Sequence, residues 1–222
     1  MLNHNFKKSP KFIALVTLLL LYLFYLSTCK PSSISDESSK QKAVSSAVQY
    51  KPFIVYYSRT GTTRIVAFEL MNQLFCEIGE IKSKKYRDGF LGAFICVLDQ
   101  LLDRYDIIEP FTKDLEGYSP IIIASPIWIH RLCSPIRTFI KEVMLEGKEV
   151  YLFLTNNGNF SKEDKYEIKR VLTSQKIKVK GMYAILTEDK TEVEIKRATR
   201  ESLNTMLKIM ESSNPDNKDF EV

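Results

Sequence analysis

Six consecutive residues, Ser58-Arg59-Thr60-Gly61-Thr62-Thr63, carry four hydroxyls around one glycine and follow a short apolar run, Phe53 to Tyr57. Hydroxyls at such spacing can donate to phosphate oxygens. Gly61 lets the backbone turn tightly and approach a ligand. A helix starting here adds free N–H groups and the positive end of its dipole. The segment reads as a phosphate loop, weighed against a polar turn in which one threonine merely caps the helix. It lacks the Gly-Lys-Ser/Thr ending of a Walker loop and is not a Gly-x-Gly-x-x-Gly dinucleotide turn. Two further polar or aromatic segments follow apolar runs. Ser125-Pro126-Ile127-Trp128 follows Ile121 to Ala124 and holds the single tryptophan. Thr155-Asn156-Asn157-Gly158 follows Val150 to Leu154 and offers two side-chain amides. A core tryptophan and a polar turn are the plainer readings of these two.

Other chemistries lack their residues. The chain has two histidines, His4 and His130, so neither a Ser/His/Asp set nor a His-based zinc site can be assembled, and no catalytic side chain is assigned. Four cysteines show no Cys-x-x-Cys or metal spacing. Cys76 and Cys96 sit in apolar helical patterns and read as core thiols. The formal net charge is +5, but Lys7, Lys8 and Lys11 lie in the first 28 residues. Without them 29 basic residues face 27 acidic ones, so the basic balance says little about partners and no nucleic-acid partner is expected. Lys82, Lys84, Lys85 and Arg87 read as a solvated edge.

The elements that must position these segments alternate. Phe53 to Tyr57 is continuously apolar, as in a strand covered on both faces. Ala67, Leu70, Met71 and Leu74 then take helical spacing, and a weak strand is expected near Glu80 to Lys84. Leu91, Phe94, Ile95, Leu98, Leu101 and Leu102 form a second helical stripe. After the strand Ile121 to Ala124 come Ile136, Phe139, Ile140 and Val143 on a helix opened by Pro135. After Val150 to Leu154, Ser161 and Asp164 form a capping box opening a helix toward Leu172. Met182 to Leu186 is the last strand. Thr191 and Glu194 cap a final helix carrying Leu203, Met206, Leu207 and Met210. Such alternation argues for a parallel sheet with helices on both faces and ligands beyond the carboxyl ends of the strands.

Three of these stretches, in register at three strand ends, resemble the flavodoxins. They are Ser-x-Thr-Gly-x-Thr at Ser58 to Thr63, Ser125-Pro126-Ile127-Trp128 continuing to Ser134-Pro135-Ile136-Arg137-Thr138-Phe139, and Leu154 to Gly158. The resemblance runs from about Lys51 to Met210. It implies an α/β, flavodoxin-like three-layer sandwich, with a five-stranded parallel sheet in the order 2-1-3-4-5 and helices on both faces. It implies FMN as cofactor. Ser58, Thr60, Thr62 and Thr63, with backbone N–H groups from Arg59 through Gly61 to Thr63, would hold the phosphate. Pro126, Ile127, Trp128 and Ile129 would border the isoalloxazine ring, and Asn156, Asn157 and Gly158 would present amides to its pyrimidine end. His130 and Arg131 stand where many relatives have a nearby glycine, and the near-neutral domain departs from the acidic long-chain flavodoxins. The function implied is electron transfer, with a redox partner protein or a quinone. Alternatives are an NAD(P)H- or quinol-linked FMN quinone reductase, or a flavodoxin-like interaction domain without FMN.

The first 28 residues differ from the rest. A basic head precedes an uncharged run from Phe12 to Leu26, about the length of a signal segment and short for a membrane span. Leu26-Ser27-Thr28-Cys29 resembles the lipobox of bacterial lipoproteins, which implies lipidation at Cys29; an uncleaved signal anchor is the alternative. Either places the domain outside the cytoplasmic membrane of a bacterium, tethered to it. Residues 29–48 are polar and serine-rich and read as a flexible tether. The domain is expected over residues 49–213, with a polar tail over 214–222.

Overall fold

The strand β1, Phe53–Tyr56, is buried at all four positions. Its β-branched and aromatic side chains suit a strand packed on both faces. A computed structural model describes residues 51–86, 89–158 and 160–212 around it. The expected leader, Cys29, the tether and the tail over 214–222 lie outside the described residues, as does Arg87. Among the described residues no helix is long and apolar enough to cross a membrane.

After β1 come α1 (Thr62–Leu74), β2 (Glu77–Glu80), α2 (Phe90–Leu101), β3 (Ile121–Trp128), β4 (Arg131–Leu132), α3 (Ser134–Glu142), β5 (Glu149–Asn156), α4 (Lys162–Ser174), β6 (Lys178–Leu186) and α5 (Glu192–Ser212). The sheet order is β2-β1-β3-β5-β6, with every neighbouring pair parallel. The expected five strands become six, because β4 folds back antiparallel on β3. Two residues paired across a tight turn leave no apolar period for a sequence to display.

Each face of the sheet carries its own core. Ile54, Tyr56, Ile122, Ala124 and Phe153 pack with Val66 and Leu70 of α1 and with Leu203 and Met206 of α5. Val55, Ile121, Ile123 and Leu152 pack with Ile136 and Phe139 of α3 and with Ile168 and Leu172 of α4. Alternate strand residues serve alternate faces, as the strand period requires. The expected caps form. Ser161 Oγ accepts from Asp164 N at 3.1 Å, and an Asp164 carboxylate oxygen accepts from Ser161 N at 2.9 Å. Thr191 and Glu194 make the same reciprocal pair at 3.3 and 2.8 Å. Cys96 is buried, whereas Cys76 is only partly so.

Three expectations shift. The second strand is Glu77–Glu80 rather than Glu80 to Lys84, set by the pairing of Phe53 with Glu77. Its half-exposed residues at a sheet edge carry no apolar period. Val143 lies just past α3 as its C-cap. The larger shift is α2, whose apolar stripe faces outward. Leu91, Leu98, Leu101 and Leu102 are exposed and Ile95 half-buried, while Asp99 and Gln100 are buried. Hydrogen bonds decide this orientation. Asp99 accepts from the Tyr86 hydroxyl at 2.7 Å and contacts the Lys85 ammonium. Gln100 Nε2 donates to the carbonyls of Trp128 and Leu132 at 2.8 and 3.0 Å. Pairing offsets the cost of burying these groups, although Gln100 Oε1 keeps no partner.

The described sheet ends at β2 and β6. On β6 the register slips between Val150 and Tyr151 of its neighbour β5, opposite Gly181. A Cβ on Gly181 would lie 2.9 Å from the Tyr183 ring and 3.0 Å from Tyr151. Lys178 and Lys180 on this edge are exposed.

Candidate functional site

Register brings the three singled-out segments together. Tyr56 pairs with Ala124, Ala124 with Phe153, and Pro126 with Thr155. The chain therefore leaves β1, β3 and β5 side by side at one end of the sheet. Here a parallel sheet offers a crevice.

The first loop turns at Gly61, whose φ of +92° lies in the left-handed region. Only glycine takes it without steric cost, and space is not the reason, since a Cβ there would meet nothing within 4 Å. Gly61 is the N-cap of α1, and no side chain caps that end. The first intrahelical acceptor is the Gly61 carbonyl, bonded to Ile65 N at 3.2 Å. The N–H groups of the first turn thus open toward the loop. The Ser58 hydroxyl is buried and has no hydrogen-bond partner. Thr63, 2% exposed, is engaged instead: its hydroxyl bonds that of Thr155 at 2.7 Å and pins the loop to β5. Arg64 turns aside to Glu80 at 2.8 Å.

The second wall is the β3–β4 hairpin. Its turn residues Ile129 and His130 have φ of +46° and +63°, the paired left-handed values of a two-residue hairpin turn. A β-branched residue seldom holds such a value. The Gln100 amide clamps the hairpin on either side of the turn, through Trp128 O and Leu132 O. Trp128 is half-buried and meets Tyr57 and Tyr86 edge-on, with centroids 5.7 and 5.2 Å apart. Such edge-to-face contacts fix the indole. Burial, with the Cys133 and Cys96 sulfurs beside it, pushes the Tyr57 phenol well above its usual range, so it stays a neutral wall. His130 Nδ1 lies 3.1 Å from the Asp164 carboxylate. Burial alone would raise that carboxyl, but the N–H of Ser161 and the imidazole hold it below the ordinary range.

The third wall follows β5. Asn156 Nδ2 donates to the Gly158 carbonyl at 2.9 Å, and Asn157 Oδ1 accepts from Thr187 Oγ1 at 2.7 Å. Thr187 N also donates to the Asn156 carbonyl at 2.8 Å.

Between these walls lies a cleft of ≈ 240 Å³. Arg59, Thr60, Thr62 and Thr63 line one side, Pro126, Ile127 and Trp128 another, and Asn156 and Asn157 a third. An apolar recess of ≈ 270 Å³ shares Arg59, Ile127 and Trp128 with it and adds Ala93, Val97 and Ile129. Ser58, Gly61 and Gly158 are not among the residues that line the cleft. A cleft of ≈ 300 Å³ elsewhere has its guanidinium groups already paired, Arg131 and Arg137 with Asp103 and Arg170 with Glu167.

No protein-family model matches the chain, and no curated protein does. Solved structures do. A candidate flavoprotein from Bacteroides eggerthii is 21% identical and superposes with a TM-score of 0.56, over 71% of this chain and 98% of its own. One from Bacteroides uniformis is 22% identical with a TM-score of 0.56, over 68% and 98%. A Lactobacillus acidophilus flavoprotein in complex with FMN is 25% identical with a TM-score of 0.51, over 65% and 97%. The fold is flavodoxin-like.

Within this flavodoxin-like fold, sequence reasoning missed Thr187 and the α2 contribution to the recess. Thr187 follows β6, whose end carries no hydroxyl cluster or amide pair that would single it out. Thr155, at the end of β5, links that strand to the first loop through its hydroxyl. Ala93 and Val97, which the apolar stripe did not single out, border the recess, and Cys96, buried as expected, lines it as well.

Proposed function

We propose that this domain binds one FMN and takes part in electron transfer at a membrane. The observation that carries the reading is the cleft in which Thr60 and Thr62 at the uncapped α1 N-terminus face the Pro126–Trp128 wall, with a buried, unpartnered Ser58 hydroxyl in the same loop. An unpaired buried hydroxyl is costly unless a ligand completes it. A phosphate dianion suits that donor set, in which Ser58, Thr60, Thr62 and the N–H groups of the first α1 turn would hold it. Thr63 would act through Thr155, keeping the loop in place. Ile127, Trp128 and Ile129 offer an apolar surface for a flat ring, and the Asn156-Asn157 loop offers backbone and amide groups for its polar edge. FMN itself supplies the redox chemistry, and the protein sets binding and surroundings. The FMN-bound relative from Lactobacillus acidophilus supports the same ligand.

The apolar recess beside Trp128 favours one second reading, an FMN quinone reductase in which the recess receives the acceptor ring. NAD(P)H oxidation with a quinone separates the two, since a carrier alone turns over neither. The N-terminal segment would tether the domain outside the membrane, by lipidated Cys29 or an uncleaved anchor. The test of the central reading is to mix the purified chain with excess FMN, desalt it and record the visible spectrum. Retained flavin bands with quenched Trp128 emission are expected. A folded chain that retains no flavin would overturn the reading in favour of an interaction domain.

A further inference from the structure

The helix α2 is inside out. Asp99 and Gln100 are 2% and 3% exposed, whereas Leu91 is 70%, Leu101 66%, Leu102 56%, Val97 44% and Leu98 39% exposed. Apolar side chains gathered on one outer helix face mark contact with an apolar medium or partner. Ile129, which shares the recess wall with Val97, extends the surface. The segment 82–109 balances five basic against five acidic residues, but two of the acids, Asp99 and Asp106, are buried. Lys82, Lys84 and Lys85 precede the helix and Arg104 follows it, all exposed, with Lys85 seated on Asp99. Asp103 and Glu109 oppose them, and Asp103 is already paired with Arg131 and Arg137.

We propose that α2 rests on an anionic lipid surface, with its leucines at the acyl boundary and the lysines against headgroup phosphates. That combination is what interfacial helices use. The chain outside the described residues leads to the same occupant. On the tethering reading, the twenty residues 29–48 would span about 25 Å on average as a flexible chain, and an anchor ahead of them would hold the domain within reach of the bilayer. A second copy fits less well, because α2 packed on α2 would set the same lysines and Arg104 against each other. The recess beside Trp128 then opens at the lipid boundary, where an apolar acceptor would arrive. The proposal relies on the tethering reading for its reach and is independent of FMN.

The full chain carrying Trp128→Phe and Leu98→Trp is reconstituted in phosphatidylglycerol vesicles, with and without brominated acyl chains. Flotation reports the tether and tryptophan emission reports α2. A matching chain with Val193→Trp, on α5 across the sheet, is the control; Val193 is exposed. Flotation with loss of emission at position 98 and none at 193 is expected. Adding Leu91→Glu and Leu101→Glu should restore the emission while the chain still floats. Flotation with unchanged emission at 98 overturns the docking and leaves the tether standing. No flotation overturns both. Unchanged emission together with disulfide cross-linking of a Leu98→Cys chain overturns the proposal in favour of a second copy.

Discussion

Ser58 and Thr63 belong to one loop and hold their hydroxyls in opposite states. Thr63 is satisfied by Thr155 at 2.7 Å, and Ser58 is buried without a partner. The two predict different phenotypes. Thr155→Val strands the Thr63 hydroxyl and should lower stability by about 1–3 kcal/mol, read as a shift in the urea midpoint. Ser58→Ala removes an orphan, so the free protein should lose no stability. FMN affinity should nevertheless fall about tenfold or more, since a hydrogen bond to a charged group contributes about 1.5–3 kcal/mol. An Ser58→Ala protein that titrates with FMN like the parent would remove Ser58 from the phosphate site. The hydroxyl pattern itself was readable in the sequence. Which hydroxyl is spent on the fold was not, because the Thr63–Thr155 pair spans 92 residues.

At the scale of elements, local chemistry was legible where it is self-contained. The capping box at Ser161 and Asp164 lies within four consecutive residues and forms as expected. Asp164 serves a second purpose by holding His130 at the hairpin turn. Its carboxyl is held below the usual range, so its stabilisation is present above an ordinary Asp pKa of about 3.9 and is lost as the pH falls through the lowered folded value. Asp164→Asn keeps the shape and removes the charge. It should cost about 0.5–1 kcal/mol at pH 7, with the gap closing below about pH 4. A gap that persists at pH 2 would show that shape, not charge, is what the cap contributes. The α2 stripe was illegible for a related reason. Helical spacing identified the element, but its orientation rests on Trp128 and Leu132 carbonyls that Gln100 meets 28 and 32 residues away. Period reports that a helix has two faces, and partners decide which one is covered.

Across the whole molecule, parallel pairing converts three separated segments into one crevice. Strand order and the level of each strand end follow from the register of Tyr56, Ala124 and Phe153. The order of the parallel strands was inferred by resemblance rather than read from spacing, whereas the buried runs themselves were plain in Phe53 to Tyr57 and Val150 to Leu154. The two edges of the sheet then matter for a reason apart from the crevice. β2 is four residues long and ends in glutamates at both sides, and β6 carries Lys178, Lys180 and the slip opposite Gly181. Short, charged and irregular edges are poor templates for a foreign strand. Lys178→Val with Lys180→Val should leave the fold intact while raising light scattering on standing, and a doubly substituted chain that stays clear would mean the irregularity alone protects the edge. Were chains gathered on one patch of membrane, as the proposed tether implies, they would meet at high local density, where a flat β6 would let them polymerise strand to strand. The irregular edge at Gly181 would keep such a crowd of neighbours monomeric through the sheet.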